Sequence, residues 1–202
     1  MTASSGLSPT LVTGCRIKPV KNILRKEVLS WRGLVTYYVL FFLHLKSRRV
    51  HIAGITRHPD QEWMEQIGRS ATQETWGYHH PCRYVLHERD TRFCASFRSA
   101  LASGGVKTIQ LPPKSPNLNA FAERWVRSVK QECLSKVILL GEGSLSRVLA
   151  EYSRHYHRER NHQGKSNRLL FPDVSDKPSS SGRSIECRRR LGGLLKYYRR
   201  AA

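Results

Sequence analysis

The chain has 202 residues, and 39% of them are hydrophobic. That is enough apolar material to bury a core, and it excludes a globally disordered protein. Its 35 lysines and arginines outnumber its 15 acidic residues and give a formal net charge of +20. A folded domain this basic repels itself unless a polyanion neutralises it, and the usual polyanion is nucleic acid. A basic ribosomal protein or a membrane-surface protein is the alternative that charge alone leaves open.

The cysteines and the apolar segments indicate the cellular setting. The five cysteines are an odd number and form no CxxC pair, so neither a disulfide framework nor a structural zinc site is indicated. We expect free thiols in a reducing compartment. Residues 1–13 are mixed and polar, unlike a signal peptide, and the longest apolar run, 34–43, is too short to cross a bilayer. These features predict a cytoplasmic protein that does not associate with membranes.

The N-terminal part predicts strands after a poorly ordered start. Residues 1–21 lack periodicity and are expected to be a basic, poorly ordered lead-in, followed by a first strand near 23–29. The run 34–43 is aromatic, β-branched and unbroken, which is typical of a strand buried on both faces. With 50–55 it predicts a hairpin. The basic turn between these strands, residues 46–49, fits either phosphate binding or an ordinary charged turn.

The middle of the chain alternates helices and short strands. Asp60 is a predicted N-cap, and apolar residues at a spacing of four predict a helix over 61–76. A short central strand is expected at 83–86, a short helix at 97–103 and another strand at 106–111.

The C-terminal part predicts a loop, two helices and a tail. The proline-rich residues 112–117 predict a loop, and helices are expected over 119–139 and 145–160. The resulting order β-β-β-α-β-α-β-α-α is typical of an α/β layered sheet. Residues 173–202 are rich in serine and arginine and predict a basic, mobile tail.

One segment connects this pattern to a known family. Residues 111–130 have the sequence LPPKSPNLNAFAERWVRSVK. This segment resembles the last motif of DDE-type integrases and transposases, the retroviral-integrase-like catalytic cores also found in bacterial mobile elements. In that family a Pro-x-x-Asn-(Gly/Ala)-x-x-Glu segment presents the final catalytic glutamate, which corresponds here to Glu123. The family also places a catalytic aspartate five residues before a Phe, and counting back from Phe93 gives Glu88.

The resemblance covers residues 22–172 and implies a fold and a chemistry. The implied fold is RNase H-like, with a five-stranded mixed sheet flanked by helices. The implied activity is phosphodiester cleavage and strand transfer on DNA, with two Mg²⁺ or Mn²⁺ ions about 3.5–4 Å apart. Mg²⁺ prefers hard oxygen ligands in octahedral geometry, which explains the family's three carboxylates. The resemblance leaves homo-oligomer formation open.

Two of the three metal positions depart from the family pattern. The position of the first aspartate falls at Asn22, which keeps a carbonyl oxygen but lacks the charge. The second holds Glu88, whose side chain is one methylene longer than aspartate. Asp90 is a candidate substitute, since residues two apart on a strand share a face. We therefore predict Glu88 and Glu123 as the remaining metal ligands and expect strand transfer to be impaired or absent.

The cationic residues around Glu123 predict DNA contacts. Glu123, Arg127 and Lys130 stand at i, i+4 and i+7 of the predicted helix and therefore share one face. We predict DNA contacts from Arg127 and Lys130, with further contacts from Lys114, Asn117 and Arg124. An ordinary solvated helix face is the alternative. Asn119 is expected to cap the helix.

Three readings of the function remain at this level. The first is an integrase core that is or was a phosphotransferase. The second is a non-enzymatic DNA-binding remnant of a mobile element, which shares the fold and differs at Asn22 and Glu88. The third is an RNA-binding protein that uses the same fold.

Overall fold

The structure is a computed structural model that describes residues 17–31, 33–73, 83–113, 119–172 and 184–200. Only the backbone is described for residues 17–22 and 200. The strands are β1 (Ile17–Ser30), β2 (Gly33–Leu43), β3 (Val50–Thr56), β4 (Tyr84–His87), β5 (Lys107–Gln110), β6 (Ile185–Arg190) and β7 (Leu195–Arg200). The helices are α1 (Gln61–Thr72), α2 (Ala95–Ser103), α3 (Ala120–Val129) and α4 (Gly141–Arg158). A π-helical segment, Lys130–Leu134, continues α3 directly, and 3-10 turns occur at Gln163–Lys165 and Leu191–Gly193.

The first five strands are hydrogen-bonded in the order β3-β2-β1-β4-β5. β1, β2 and β3 form an antiparallel ladder, whereas β4 pairs in parallel with both β1 and β5. The two ladders meet on β1, where only Ile17, Lys18 and Pro19 pair with β4. The expected α/β class is therefore confirmed, and the parallel part of the sheet is short.

β2 supports a core on each side of the sheet, as its unbroken apolar run predicts. Val39, Phe41 and Leu43 belong to one buried cluster, and Leu40 and Phe42 belong to another. Alternate side chains of a strand point to opposite faces, so one strand supplies both layers. The first cluster contains α3 and α4 residues, and the second contains α1 and α2 residues.

Helix α1 begins where the sequence indicates. The Asp60 carboxylate accepts a hydrogen bond of 2.9 Å from the backbone N–H of Trp63. This bond satisfies one of the free N–H groups at the helix start, which is the usual role of an N-cap aspartate. The helix is observed as Gln61–Thr72, and residues 74–76 of the predicted span lie outside the described residues.

Three predicted boundaries are wrong. β1 begins at Ile17, inside the segment expected to be a poorly ordered lead-in, because these residues pair in parallel with β4. The helix predicted over 119–139 ends at Leu134. There the backbone N–H of Ser135 bonds to the carbonyl of Lys130, five residues back, and the chain turns. The second long helix begins at Gly141, four residues before its predicted start.

The expectation of a mobile tail is wrong for residues 184–200. These residues contain the antiparallel hairpin β6–β7, and the side chain of Leu195 is buried in the cluster with α3 and α4. Arg190 fixes the hairpin to α4 because its guanidinium donates to Glu159 at 2.7 Å and to Glu151 at 2.7 Å. Composition cannot show this attachment, since it depends on two acids about 30–40 residues earlier in the chain.

The cysteines and the apolar character of the helices are also the subject of predictions from the sequence. The described cysteines, Cys94, Cys133 and Cys187, are free thiols, as predicted. No helix in the described ranges combines the length and apolar character needed to cross a lipid bilayer.

Candidate functional site

The end of β4 carries the first candidate acid. Glu88 directly follows β4, and its side chain is exposed. β1 runs beside β4 in parallel, with Pro19 opposite Leu86. Asn22 lies three residues farther along β1, beyond the last residue that pairs with β4. The pairing of β1 with β2 shifts register between Val20 and Ile23, so Asn22 lies at an irregularity of the strand.

A hydrogen bond joins this strand end to the start of α3. The side-chain amide of Asn119 donates to a carboxylate oxygen of Glu88 at 3.5 Å, a long and therefore weak bond. Asn119 occupies the N-cap position of α3 but makes no side-chain capping bond, so its predicted capping role is wrong. Its side chain bridges to β4 instead. Glu123 lies in the first turn of the same helix, so both glutamates are near the α3 N-terminus.

The acids near this point do not fit a two-metal centre. The described residues contain no group of three His, Cys, Asp or Glu side chains that would hold a metal ion. Asp90 is engaged elsewhere, because Arg92 donates to both of its carboxylate oxygens, from the backbone N–H at 2.9 Å and from Nη1 at 2.9 Å. Glu88 and Glu123 therefore stay predicted metal ligands, and the side chain of Asn22 lies outside the described residues.

The exposed face of α3 is cationic beyond Glu123. The side chains of Glu123, Arg127 and Lys130 are all exposed, whereas Trp125 and Val129 are fully buried in the core. The spacing of the three charged residues therefore places them correctly on one exposed face of the helix. Lys130 is also the first residue of the π-helical segment.

A groove beside Lys130 adds cations that sequence reasoning missed. A cavity of about 570 Å³ lies between β1 and the π-helical segment, lined by Arg25, Lys26 and Glu27 on the strand side and by Lys130 on the other. Packing of the π-helical segment against β1 brings these residues together. No local signal marks Arg25 and Lys26, because their proximity to Lys130 depends on tertiary packing.

The remaining predicted DNA-binding residues fall into two groups. Lys114 and Asn117 lie outside the described residues. Arg124 is exposed on α3, but one residue along a helix turns the side chain by about 100°. Arg124 therefore points away from the Glu123 face and lines a different pocket, shared with Arg48 and Arg160.

Several other charges on this side of the core are internally compensated. The guanidinium of Arg160 donates to both carboxylate oxygens of Glu132, the shortest bond being 2.6 Å, and the Tyr152 hydroxyl donates to the same group at 3.1 Å. Burial alone would raise the pKa of Glu132, but the Arg160 and Tyr152 bonds hold that pKa below its ordinary value. Glu132 therefore joins the end of α3 to the exit of α4, and it is a structural residue.

Three histidines near the end of α4 are buried or half-buried. His155 and His162 are buried, and burial lowers the pKa of both. His157 accepts a hydrogen bond of 2.9 Å from the backbone N–H of Val50, and its pKa is lowered to about 4 by burial and by the charge of Arg49. The rings of Tyr156 and His162 are in contact, with 4.7 Å between their centroids.

Comparisons with known proteins agree with this architecture. Residues 104–168 match the family model of the integrase core domain. The chain is similar to the HTLV-2 integrase catalytic core domain, solved in complex with magnesium in a trimeric form. That comparison has a TM-score of 0.53 and 9% identity, and it covers 77% of this chain and 93% of that one.

A second similar structure is a chain of the simian T-cell lymphotropic virus intasome. The TM-score is 0.52 and the identity 12%, and the match covers 92% of this chain and 66% of that one. No curated protein sequence matches the chain. Identities this low establish the fold alone. The chain therefore has the RNase H-like fold of retroviral integrase catalytic cores and is integrase-like, with a match to the integrase core domain family in residues 104–168.

Proposed function

We propose that this protein is a DNA-binding integrase core of a mobile element, related to enzymes of DNA integration and transposition. Its metal-dependent cleavage and strand transfer are impaired, because two of the three metal carboxylates are replaced. The proposal joins two supports: the integrase core match over residues 104–168 and the cationic face that surrounds Glu123.

One observation carries the DNA-binding part. Arg127 and Lys130 are exposed on the same helical face as Glu123, and the groove next to Lys130 is lined by Arg25 and Lys26. A duplex whose backbone follows this groove would meet cations from both sides and would pass Glu123. Release of condensed counterions from the phosphates then drives binding.

The catalytic part of the proposal concerns the acids. In an active site of this type, Mg²⁺ or Mn²⁺ supplies charge stabilisation to the reacting phosphate and activates the attacking hydroxyl or water. Here Glu88 and Glu123 offer two carboxylates, one of which contacts the amide of Asn119. A neutral amide at position 22 and the longer arm of Glu88 disfavour the octahedral geometry that Mg²⁺ requires.

Binding is tested by the salt dependence of DNA affinity. We expect the wild-type protein to bind duplex DNA with a steep slope of log affinity against log salt. Replacing Arg127 and Lys130 together with glutamine should reduce that slope by about 2, since each phosphate contact contributes about 0.9. Arg147→Gln is the control, because Arg147 is exposed on α4 and does not line the groove at Lys130. An equal reduction by the control, or no DNA binding by the wild type, would contradict the proposal.

Catalysis is tested by restoring the family pattern. Strand transfer should be weak or undetectable for the wild type with Mg²⁺ or Mn²⁺ and should rise in the double variant Asn22→Asp/Glu88→Asp. A further Glu123→Gln change should abolish any activity gained. If the double variant binds DNA but gains no activity, the non-enzymatic remnant is favoured. Wild-type turnover comparable to that of an intact relative would overturn the impairment.

A further inference from the structure

A second cationic pocket lies on a different side of helix α3 from Glu123. It is a cavity of about 360 Å³ between the β2–β3 turn, the side of α3, the end of α4 and the 3-10 turn that follows. Small-ligand pockets typically have volumes of about 300–1,000 Å³. Its basic lining residues are Arg48, Arg124, Arg160 and His162. The acids predicted as metal ligands do not line it.

Two of these guanidinium groups converge on one point. A Cβ atom added to Gly164 would lie 3.3 Å from Nη1 of Arg48 and 3.5 Å from Nη1 of Arg124. The two nitrogens are therefore no farther apart than the sum of these distances. Arg48 comes from the β2–β3 turn and Arg124 from α3, so the fold brings together two like charges that are distant in sequence.

These two charges lack the compensation that their neighbour has. Arg160, in the same pocket, is paired with Glu132 at 2.6 Å. Arg48 and Arg124 form no ion pair with any carboxylate among the residues that the structure describes. Two unneutralised cations this close raise the local positive potential, which falls when an anion binds between them.

Arg48 is held in place before any ligand arrives. Its backbone adopts a φ of 59°, a left-handed conformation that costs about 1 kcal/mol or more in a residue other than glycine. The turn fixes that conformation, because the backbone N–H of Arg48 bonds to the carbonyl of His44 at 2.7 Å. The guanidinium of Arg48 lies over the ring of Phe121, 4.5 Å from its centroid. Stacking of this kind orients a guanidinium while its N–H groups remain available.

We propose that this pocket binds a phosphate group, and that the phosphate belongs to the backbone of duplex DNA bound by the protein. Arginine is the side chain best suited to a phosphate, because its N–H groups form charge-assisted bonds to the oxygens. The proposal rests on the proposed function. It adds a second contact with the DNA backbone, on a different side of α3 from Glu123. Two contacts would fix the direction in which the duplex leaves the Lys130 groove.

Two variants test the pocket against a matched control, and a third separates the effect of charge from that of the added Cβ atom. Arg48→Gln removes one guanidinium. Gly164→Asp places a carboxylate between Arg48 and Arg124, and Gly164→Ala adds only the Cβ atom. The control is Arg49→Gln, since Arg49 belongs to the same turn and also stacks on a ring, that of Phe171 at 4.4 Å, but does not line the pocket. Circular dichroism establishes that each variant is folded, and Arg48→Gln keeps the test available if Gly164→Asp does not fold.

The expected result is a loss of DNA affinity confined to the pocket variants. Arg48→Gln and Gly164→Asp should weaken duplex binding several-fold and lower the salt slope by about 1, whereas Arg49→Gln and Gly164→Ala should leave the slope unchanged. Wild-type affinity in both pocket variants, or an equal loss in Arg49→Gln, would overturn the proposal. Tighter binding of RNA than of duplex DNA, with the same variant pattern, would overturn DNA as the source of the phosphate.

A second measurement separates this proposal from the proposed function. Inorganic phosphate is titrated and followed by ³¹P line broadening, with the wild type and Gly164→Asp compared. If the wild type fails to bind DNA, the proposed function fails. Broadening by the wild type alone would then assign the pocket to free phosphate and overturn the backbone source. If DNA binds but no variant in the pocket alters it, only the pocket proposal fails.

Discussion

The half-buried imidazole of His157 predicts a specific loss of stability in mild acid. Its Nε2 atom accepts the backbone N–H of Val50 at 2.9 Å, so the ring must be unprotonated at that nitrogen. Burial and the charge of Arg49 lower the pKa of His157 to about 4. The unfolded chain has the ordinary value near 6.5, so the unfolded state takes up a proton first as the pH falls.

The sign and the size follow from this difference. Because the folded-state pKa is lowered, the stabilisation is fully present above pH 6.5 and is lost as the pH falls toward 4. A shift of this size corresponds to about 3 kcal/mol, and about 2 kcal/mol of it is lost between pH 7.5 and pH 5. For a chain of this length, 2 kcal/mol corresponds to a decrease in Tm of about 4–8 °C.

The assay is urea unfolding across pH 5–7.5 for the wild type and for His157→Gln. Glutamine keeps an acceptor for the Val50 N–H but does not titrate. Its loss of ring packing against Phe171 should lower stability equally at every pH. Because His87, His155 and His162 also have lowered pKa values, only the difference between the two proteins isolates His157. A difference that stays constant from pH 7.5 to pH 5 would refute the assignment.

Three further substitutions test the packing around α3 and α4. Arg190→Ala leaves the carboxylate of Glu159, only 2% exposed, without its main partner, so we expect a loss of about 3–5 kcal/mol in urea unfolding and faster proteolysis of β6–β7. Trp125→Phe should cost clearly less than Trp125→Ala, which should cost about 3–5 kcal/mol, because the buried indole nitrogen has no hydrogen-bond partner among the described residues. Glu132→Gln should destabilise by about 1.5–3 kcal/mol, and the loss should shrink when Arg160 is also replaced, which a double-mutant cycle measures.

The sequence predicts those parts of the fold that local patterns determine. The apolar run of β2, the Asp60 cap of α1 and the buried Trp125 stripe of α3 are each set by periodicity or by a capping residue. The order of elements followed from the same signals. Boundaries failed where a contact with a distant segment decided them, as at the start of β1, which pairs with β4, and at the end of α3.

The candidate site likewise contains residues that spacing in the sequence predicts and residues that only tertiary packing brings together. Glu123, Arg127 and Lys130 could be placed on one face from their spacing alone, and the structure shows all three exposed. The groove cations Arg25 and Lys26 could not be predicted, because they meet Lys130 only through packing of β1 against the π-helical segment. The metal assignments of Glu88, Glu123 and Asn22 remain predictions.

The acidic residues neutralise some of the arginines and leave others uncompensated, so the surplus positive charge is concentrated in particular regions. Glu132 is bonded to Arg160, while Glu151 and Glu159 hold the β6–β7 hairpin through Arg190. These acids lie on the α4 side and neutralise arginines that serve the fold. Among the described residues, no carboxylate forms an ion pair with the guanidinium of Arg48 or Arg124, which lie close together.

Uneven compensation of this kind has a functional consequence. Cations that are neutralised internally contribute little to attracting a polyanion, whereas those left unneutralised define where its phosphates gain most. The pocket at Gly164 and the groove at Lys130 lie on different sides of α3, so one rigid helix separates the two regions. A duplex that contacts both would cross the exposed face of α3, which carries Glu123 and Arg127. None of the cations in the groove or the pocket is a predicted metal ligand, so replacing the predicted ligands would leave the proposed DNA contacts intact.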